Sequence, residues 1–308
     1  MSETGVDVYD VIIIGGGPAG LSAAILLGRS MRRVLICDAG HPRNAASKAM
    51  HGFLGLDGIN PAVFLDQARR DLQKYSNVSF CPTTVQKVVK RPRGFGVVAA
   101  WDRIFGTRAL ILATGVRDTM PDVPAFADFY GTSIHTCPYC DGWEHRGKSI
   151  GVLGHDRAAV DLALELLLWS QDVTLYTNAE EAPRPAPAAR LGANGVKIVS
   201  GKITRLAGKD GQLERISSSD DTFRCDGLFF SPIQRHQSQL AGSLGCRVDP
   251  ENGAVVSGLT GKSPIDGLFV AGNLTDGVQL ALIAAAEGIG AAVSANEWLL
   301  EADLKEVP

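Results

Sequence analysis

The chain has 308 residues, 45% of them hydrophobic and 20% charged, with 35 glycines and a formal net charge of −3. That length is ample for a buried core in one large or two ordinary domains, and the slightly acidic balance gives no electrostatic reason for a nucleic acid or an anionic membrane as partner. Six cysteines are too few and too irregularly spaced for a disulfide scaffold in a chain of this size, so the expected compartment is the cytoplasm.

From the N-terminus, YDVIIIGGGPAGLSAAILLGRSMRRVLICDAG reads as strand, glycine turn, helix, strand. Val11 to Ile14 is a continuous β-branched run, as in a strand buried on both faces of a parallel sheet. Leu21 to Leu27 carries helix formers, and Val34 to Cys37 is the next strand. The longest apolar stretch, Val11 to Leu27, is broken by Gly15-Gly16-Gly17-Pro18 and makes a poor membrane span. Asp7 and Asp10 stand ahead of it where a signal peptide would carry basic residues. Further on, Ala109–Gly115 (ALILATG) is a second buried strand ending in a small-residue turn. Asp118 to Pro124, with two prolines and two acids, is linker-like.

A second unit then repeats the first in layout: a strand at Ile150–Leu153, a turn, a helix at Ala158–Trp169 and a strand at Val173–Tyr176. Ala182 to Ala189, rich in proline and alanine, is expected as a loop. Val196 to Phe230 is expected as short antiparallel strands joined by Gly-Asp turns. GLFVAGNLTDGVQLALIAAAEGIGAAVSANEWLL closes the chain with a strand, a turn at Gly272-Asn273 and a long small-residue helix. The pattern predicts an α/β protein of two Rossmann-like, three-layer dinucleotide-binding-type domains. A discontinuous first domain, residues 1–119 and 240–308, is interrupted by an inserted one, residues 120–239.

The first glycine turn has the context its mechanism needs. Gly15-x-Gly17-x-x-Gly20 follows a strand and opens a helix. Gly15 permits the tight turn, Gly17 lets the backbone approach a pyrophosphate, and Gly20 lets strand and helix pack closely. Pro18 and Ala19 begin the helix, whose N-terminal N–H groups and dipole favour phosphate, and Asp38 at the end of the second strand is placed to accept from a ribose hydroxyl. These features together predict an adenine dinucleotide; the alternative is a plain Rossmann turn without a ligand.

Cys137-Pro138-Tyr139-Cys140 admits three readings. A zinc site would need four ligands, but there is no second C-x-x-C, and His135 and His145 complete one only at poor spacing. A glutaredoxin-type domain would carry the pair early in a short fold, whereas here it lies mid-chain between two dinucleotide-type units. The third reading is a redox dithiol: at a helix N-terminus one thiolate is stabilised, and the pair closes a disulfide with little backbone movement. Cys37, Cys81, Cys225 and Cys246 sit singly and read as small core residues.

In order along the chain, GGGPAGLSAA, the LILATG strand, CPYCDG and FVAGNLTDGVQLALIAAAEG resemble the low-molecular-weight thioredoxin reductase family of flavoproteins, over nearly the whole length. The resemblance implies FAD at the first turn, with Ala113, Thr114 and Gly115 of the LILATG strand lining it. It implies Gly272 and Asn273 near the ribityl and pyrophosphate, and Gln279 and Leu280 near the flavin ring. The family usually has Asp at position 273; Asn keeps an acceptor of the same size. It further implies that Cys140 attacks the flavin at C4a, that Cys137 exchanges with the external substrate, and that Asp141 is the acid/base for the thiol proton. A helix-cap or first-turn role for Asp141 is compatible with this. His135 either assists or packs. RNAASKAMHGFLGLDG (Arg43–Gly58) is similar to the branch that includes dithiol oxidases of disulfide-containing antibiotics, which places Asn44 and His51 by the flavin; taken alone, a residue such as His51 is more often a structural histidine. The family also implies a homodimer paired through the FAD domains.

In the family the inserted domain binds NADPH through G-x-G-x-x-A and a later basic cluster. Here that turn is Gly154-His155-Asp156-Arg157-Ala158-Ala159, with a carboxylate where the backbone should approach phosphate. After Val173–Tyr176, Glu180-Glu181 stand where an arginine pair would read a 2′-phosphate, and Thr177-Asn178 occupy the place of an NAD-type acid. The expectation is an FAD-dependent thiol–disulfide oxidoreductase without NADPH, no metal, and a thioredoxin-like protein or small dithiol or disulfide as substrate. In this it is similar to the dithiol oxidases and to nicotinamide-independent thioredoxin reductases. Electrons would be exchanged with oxygen or with a protein donor such as ferredoxin. The alternatives are an NADPH-dependent thioredoxin reductase with an atypical turn and a flavin-bound redox sensor.

Overall fold

A computed structural model describes residues 7–178, 183–219, 221–250, 253–257 and 260–305. The chain divides into two compact units. One comprises Met1–Ala45, Ala62–Arg117 and Gln234–Pro308, the other Ala46–Pro61 and Asp118–Ile233.

The first unit opens with β1 (Asp7–Ile14), α1 (Pro18–Arg29), β2 (Val34–Asp38), α2 (Pro61–Leu72), β3 (Val78–Pro82), a hairpin of β4 (Val85–Arg91) and β5 (Gly94–Ala99), β6 (Ile104–Leu112) and β7 (Val116–Asp118). Its main sheet runs β3-β2-β1-β6-β5-β4, parallel from β3 to β6 and antiparallel through the hairpin. β1 is apolar at every core position because both of its faces are covered. Val11 and Ile13 join one core with Leu21 and Leu27 of α1, while Ile12 and Ile14 join another with Phe95 and Val97.

The second unit contains α3 (Phe126–Phe129), β8 (Ile134–His135), α4 (Pro138–Asp141), β9 (Ile150–Leu153), α5 (Arg157–Glu165), β10 (Val173–Tyr176), α6 (Pro185–Ala193), β11 (Lys197–Val199), β12 (Ile203–Lys209), β13 (Gln212–Ser218), β14 (Asp221–Arg224) and β15 (Gly227–Phe230). A parallel sheet runs β11-β10-β9-β15-β8, and β12-β13-β14 form a separate antiparallel sheet. The chain then returns to the first unit through β16 (Gln234–His236), α7 (Leu240–Ser243), β17 (Leu268–Val270), parallel to β6, and α8 (Ala281–Lys305). No helix among the described residues is long and apolar enough to cross a membrane.

Two expectations need correction. Pro185–Ala193, expected within a loop, is a helix: Pro185 stands in its first turn, where a missing N–H costs nothing, and alanine and leucine carry the rest. The stretch from Val196 is only partly antiparallel. β12 to β14 form the meander, with Asp210-Gly211 at its first turn, both at positive φ, but β11 and β15 join the parallel sheet. Cys37, Cys81, Cys225 and Cys246 are buried free thiols, as their isolation in sequence predicts, and burial pushes Cys37 and Cys225 up to about 12.

Candidate active site

At the first turn, the residues named from sequence converge on the N-terminus of α1. Gly15 takes φ +111°, and a Cβ there would strike the Ala113 carbonyl, so Ala113 and Thr114 of the β6 end lie directly against it. A Cβ on Gly20 would strike the Gly15 carbonyl, which is the close helix–strand approach the third glycine allows. Gly17 differs: a Cβ there would meet nothing within 4 Å, so space lies open in front of the helix. Gly17 is also the N-cap and offers no side chain, and the first bond inside the helix is Leu21 N–H to the Gly17 carbonyl. The N–H groups of Ala19 and Gly20 are therefore orphans of the kind an anion satisfies. Asp38 lies over Gly16, held by Arg69 Nη2 at 3.2 Å. An open cradle, an uncapped helix N-terminus and a carboxylate at the neighbouring strand end fit the pyrophosphate and ribose of a dinucleotide.

Gly272 packs against Ala19, where its own Cβ would come within 3.0 Å of the Ala19 Cβ. Glu287 of α8 fixes this loop by accepting from Gly272 N–H (2.7 Å) and the Thr275 hydroxyl (3.1 Å). Burial raises the Glu287 pKa and those two donors pull it back. Asn273 follows in the same loop. Gln279, just ahead of Leu280 and α8, exchanges amide hydrogen bonds with Gln234 (2.7 and 2.8 Å) and accepts from Arg43. Asn44, next to Arg43, is half-buried, and Gly115 N-terminal to β7 accepts from Gln237 N–H. The structure thus gathers Gly15, Gly17, Pro18, Ala19, Gly20, Asp38, Ala113, Thr114, Gly272 and Asn273 about one helix end. His51 is not among them; it belongs to the second unit, with Nδ1 3.4 Å from Asp57 and Nε2 3.7 Å from Glu144.

In the second unit Cys137 and Cys140 are joined as a disulfide with Cα atoms 5.3 Å apart. The pair sits on a single helical turn, α4. Cys137 is the N-cap, its sulfur accepts from Cys140 N–H at 3.2 Å, and Pro138 pre-sets the first helical φ. Both sulfur-bearing residues are half-buried, between exposed Tyr139 and Trp143. Asp141 ends the turn, and its Oδ1 lies 3.2 Å from His135 Nδ1. His135 Nε2 lies 3.1 Å from Nε2 of His145. Both rings are buried, at 7% and 3% exposure, and both pack on Phe229. Burial first, then His135 and Lys148, push the His145 pKa down to about 4. Sequence alone weighed His145 only as a poor zinc ligand; its separation of ten residues from His135 across a turn gives no local signal. Among the described residues no group of three or more His, Cys, Asp or Glu is arranged to hold a metal ion.

At the second glycine turn Gly154 takes φ +148°, and Asp156 is the N-cap of α5, its carboxylate accepting from Ala159 N–H at 2.9 Å. The helix end that would bind phosphate is filled by the protein's own anion. Arg157 points to solvent and pairs with Asp161. Asn178, after β10, takes φ +55° and spends its side-chain oxygen on Ile203 N–H at 2.9 Å. Glu180 and Glu181, set against an arginine pair in the sequence, lie outside the described residues. Beside α5 opens a cleft of about 450 Å³, lined by Thr136 and Pro138 next to the disulfide, by Asp161 and Glu165, and by Ser231 at the sheet end.

Residues 9–288 match the family model described as pyridine nucleotide-disulphide oxidoreductase. The thioredoxin reductase tcpT of Claviceps purpurea is 33% identical over 279 residues, 87% of each chain. A "Probable thioredoxin reductase" of Arthroderma benhamiae is 38% identical over 179 residues, which are 56% of this chain and 44% of that protein. The crystal structure of the thioredoxin reductase-like TrxB from Bacillus anthracis superposes with a TM-score of 0.90 at 28% identity, covering 96% of this chain and 99% of that one.

Proposed function

The chain belongs to the pyridine nucleotide-disulphide oxidoreductase family, with thioredoxin reductase-like relatives and their two-domain dinucleotide-binding fold. From that premise we propose that it is an FAD-dependent thiol–disulfide oxidoreductase that works through Cys137–Cys140 without taking electrons from NADPH. The observation that carries this is the contrast between the two helix ends. Gly17 leaves α1 uncapped before open space, whereas the Asp156 carboxylate occupies the N-terminus of α5. The Ala19 and Gly20 N–H groups would hold the FAD pyrophosphate, Asp38 its adenosine ribose, and the loop of Gly272 and Asn273 the ribityl side. Ala113 to Gly115 and Asn44 would border it, and Gln279 and Leu280 would face the ring. When bound, FAD supplies a two-electron acceptor or donor for the cysteine pair.

The thiol step balances within the protein. A substrate thiolate attacks Cys137 and breaks the Cys137–Cys140 bond, and the second substrate thiol displaces Cys137 as the substrate disulfide closes. Two electrons and two protons pass from the substrate to the pair. Asp141, one residue from Cys140, carries the thiol proton. In the oxidase direction oxygen takes the electrons as peroxide; in the reverse direction a protein donor supplies them and a thioredoxin-like disulfide is reduced. Four buried free thiols beside one functional pair suit a cytoplasmic protein.

Anaerobic NADPH at micromolar concentration is expected to leave the oxidised flavin absorbance of the holoprotein unchanged, while dithiothreitol bleaches it; rapid bleaching by NADPH would refute the proposal. Reoxidation in air within seconds, with peroxide formed, identifies the oxidase direction.

A homodimer fits the outer face of α8. Leu282, Ala286, Ile289, Val293, Leu300 and Leu304 recur every three or four residues as one exposed stripe, interrupted by Glu297. Ile289→Asp together with Val293→Asp should halve the mass measured by sedimentation while flavin content is kept. An unchanged mass would remove α8 from the interface.

A further inference from the structure

The proton carrier proposed above has a support behind it that neither the family match nor the sequence motif identifies. Asp141, His135 and His145 form one chain, Oδ1 to Nδ1 at 3.2 Å and Nε2 to Nε2 at 3.1 Å. Its inner end is an anomaly. His145 Nδ1 is buried and has no hydrogen-bond partner among the described residues, because it faces Gly227, where even a Cβ would collide with the ring.

That orphan atom decides where the protons sit. A buried N–H with no acceptor is rarer than a buried lone pair with no donor. His145 therefore carries its hydrogen on Nε2 and leaves Nδ1 bare. Nε2–H can only donate to His135 Nε2, since two N–H groups cannot meet head to head at 3.1 Å. His135 Nε2 is then an acceptor, its hydrogen is on Nδ1, and Nδ1–H donates to Asp141. The order holds as long as His145 stays neutral, which its burial favours. The charged groups acting on it are His135, Lys148, Asp141 and Asp226, while Phe229 of β15 covers both rings with apolar surface.

We propose that His145 is a positioning residue for thiol proton transfer: by fixing the tautomer of His135, it keeps an N–H aimed at Asp141 and so holds the Asp141 carboxylate in place to accept the thiol proton. This rests on the proposed thiol chemistry of Cys137–Cys140. The proton moves from the thiol sulfur to Asp141 and back to the departing thiolate; none passes to His145. Without His145, His135 is free to turn its Nδ1 lone pair toward Asp141. In that arrangement two lone pairs face each other, the His135–Asp141 hydrogen bond is lost, and the carboxylate is no longer held in place to accept from a thiol.

The test compares His145→Phe, which keeps an apolar ring of similar size, with His145→Gln, whose amide nitrogen reaches the Nε2 position and restores a donor. Anaerobic flavin reduction of the holoprotein by dithiothreitol is followed from pH 5 to 9. His145→Phe should slow it about ten-fold at pH 7 and move the rising limb of the pH profile up by about one unit. His145→Gln should recover most of both, and in an Asp141→Asn background His145→Phe should have no further effect. A His145→Phe protein with an unshifted limb, or a His145→Gln protein as impaired as His145→Phe, overturns the proposal. Nitrogen chemical shifts of histidine-labelled holoprotein give a readout independent of turnover, with His145 expected as the Nε2–H form and His135 as Nδ1–H. A His145 with hydrogen on Nδ1 overturns the proposal on its own. A wild-type protein whose flavin dithiothreitol does not reduce refutes the thiol chemistry instead, and the tautomers still decide the relay.

Discussion

Cys140→Ser should leave bound FAD at the wild-type level and lower thiol-driven flavin reduction by roughly 10³-fold or more, the scale on which removal of a covalent nucleophile acts. Serine keeps the volume and the backbone N–H that bonds to Cys137 sulfur, so α4 keeps its turn. The hydroxyl cannot form or release a sulfur–sulfur bond. The disulfide closes a loop of only four residues, so its loss removes about 2 kcal/mol of chain-entropy stabilisation, tolerable in a chain of this size. Circular dichroism and flavin absorbance of the oxidised variant should therefore match the wild type, while dithiothreitol no longer bleaches the flavin under nitrogen. Bleaching at the wild-type rate would show that electrons reach the flavin by a route that bypasses the pair.

The second large effect separates two glycines of one turn. Gly17→Ala should fold normally, because φ is −79° and no atom of the described residues lies within 4 Å of the new Cβ, yet emerge with its FAD affinity reduced about ten-fold or more. The methyl group would stand where the pyrophosphate must reach the α1 N–H groups. Gly20→Ala should do harm of another kind. Its Cβ meets the Gly15 carbonyl, so α1 must move off β1, at a cost of about 1–3 kcal/mol and with the turn itself distorted. Flavin content of the purified proteins, and melting temperature with and without added FAD, read the two apart. If Gly17→Ala retains stoichiometric FAD through gel filtration, the cradle is not where the cofactor binds.

Much of this was legible in the chain because its signals are local. Two glycine turns between apolar runs fix two parallel βαβ starts, and CPYC with Asp141 marks the turn that carries the disulfide, each within a span of about ten residues. Other features depend on what lies far off in sequence. Pro185–Ala193 is proline-rich and reads as a loop until its prolines fall in the first turn of a helix. β11 and β15 look like members of a meander, and only their pairing with β10 and β9 makes them parallel. His145 carries no motif, and the role proposed for it rests on Gly227, 82 residues later, beside which its Nδ1 has no partner among the described residues. His51 lies in a segment that packs with the second unit although the chain has not yet reached that unit in sequence.

If the proposed NADPH-independent chemistry holds, Asp156 bears on how easily its electron supply could be rewired. An aspartate N-cap exchanged for glycine gives up only a few tenths of a kcal/mol, whereas alanine there would cost about 1 kcal/mol. The step back to a glycine turn is thus nearly free for the fold. What such a variant would still lack is positive charge, since Arg157 is turned outward to Asp161 and Asn178 is committed to Ile203. On the NADPH-independent reading proposed above, engineering a nicotinamide-driven form is a problem of surface electrostatics around a Rossmann half, with one side chain to remove and basic groups to add.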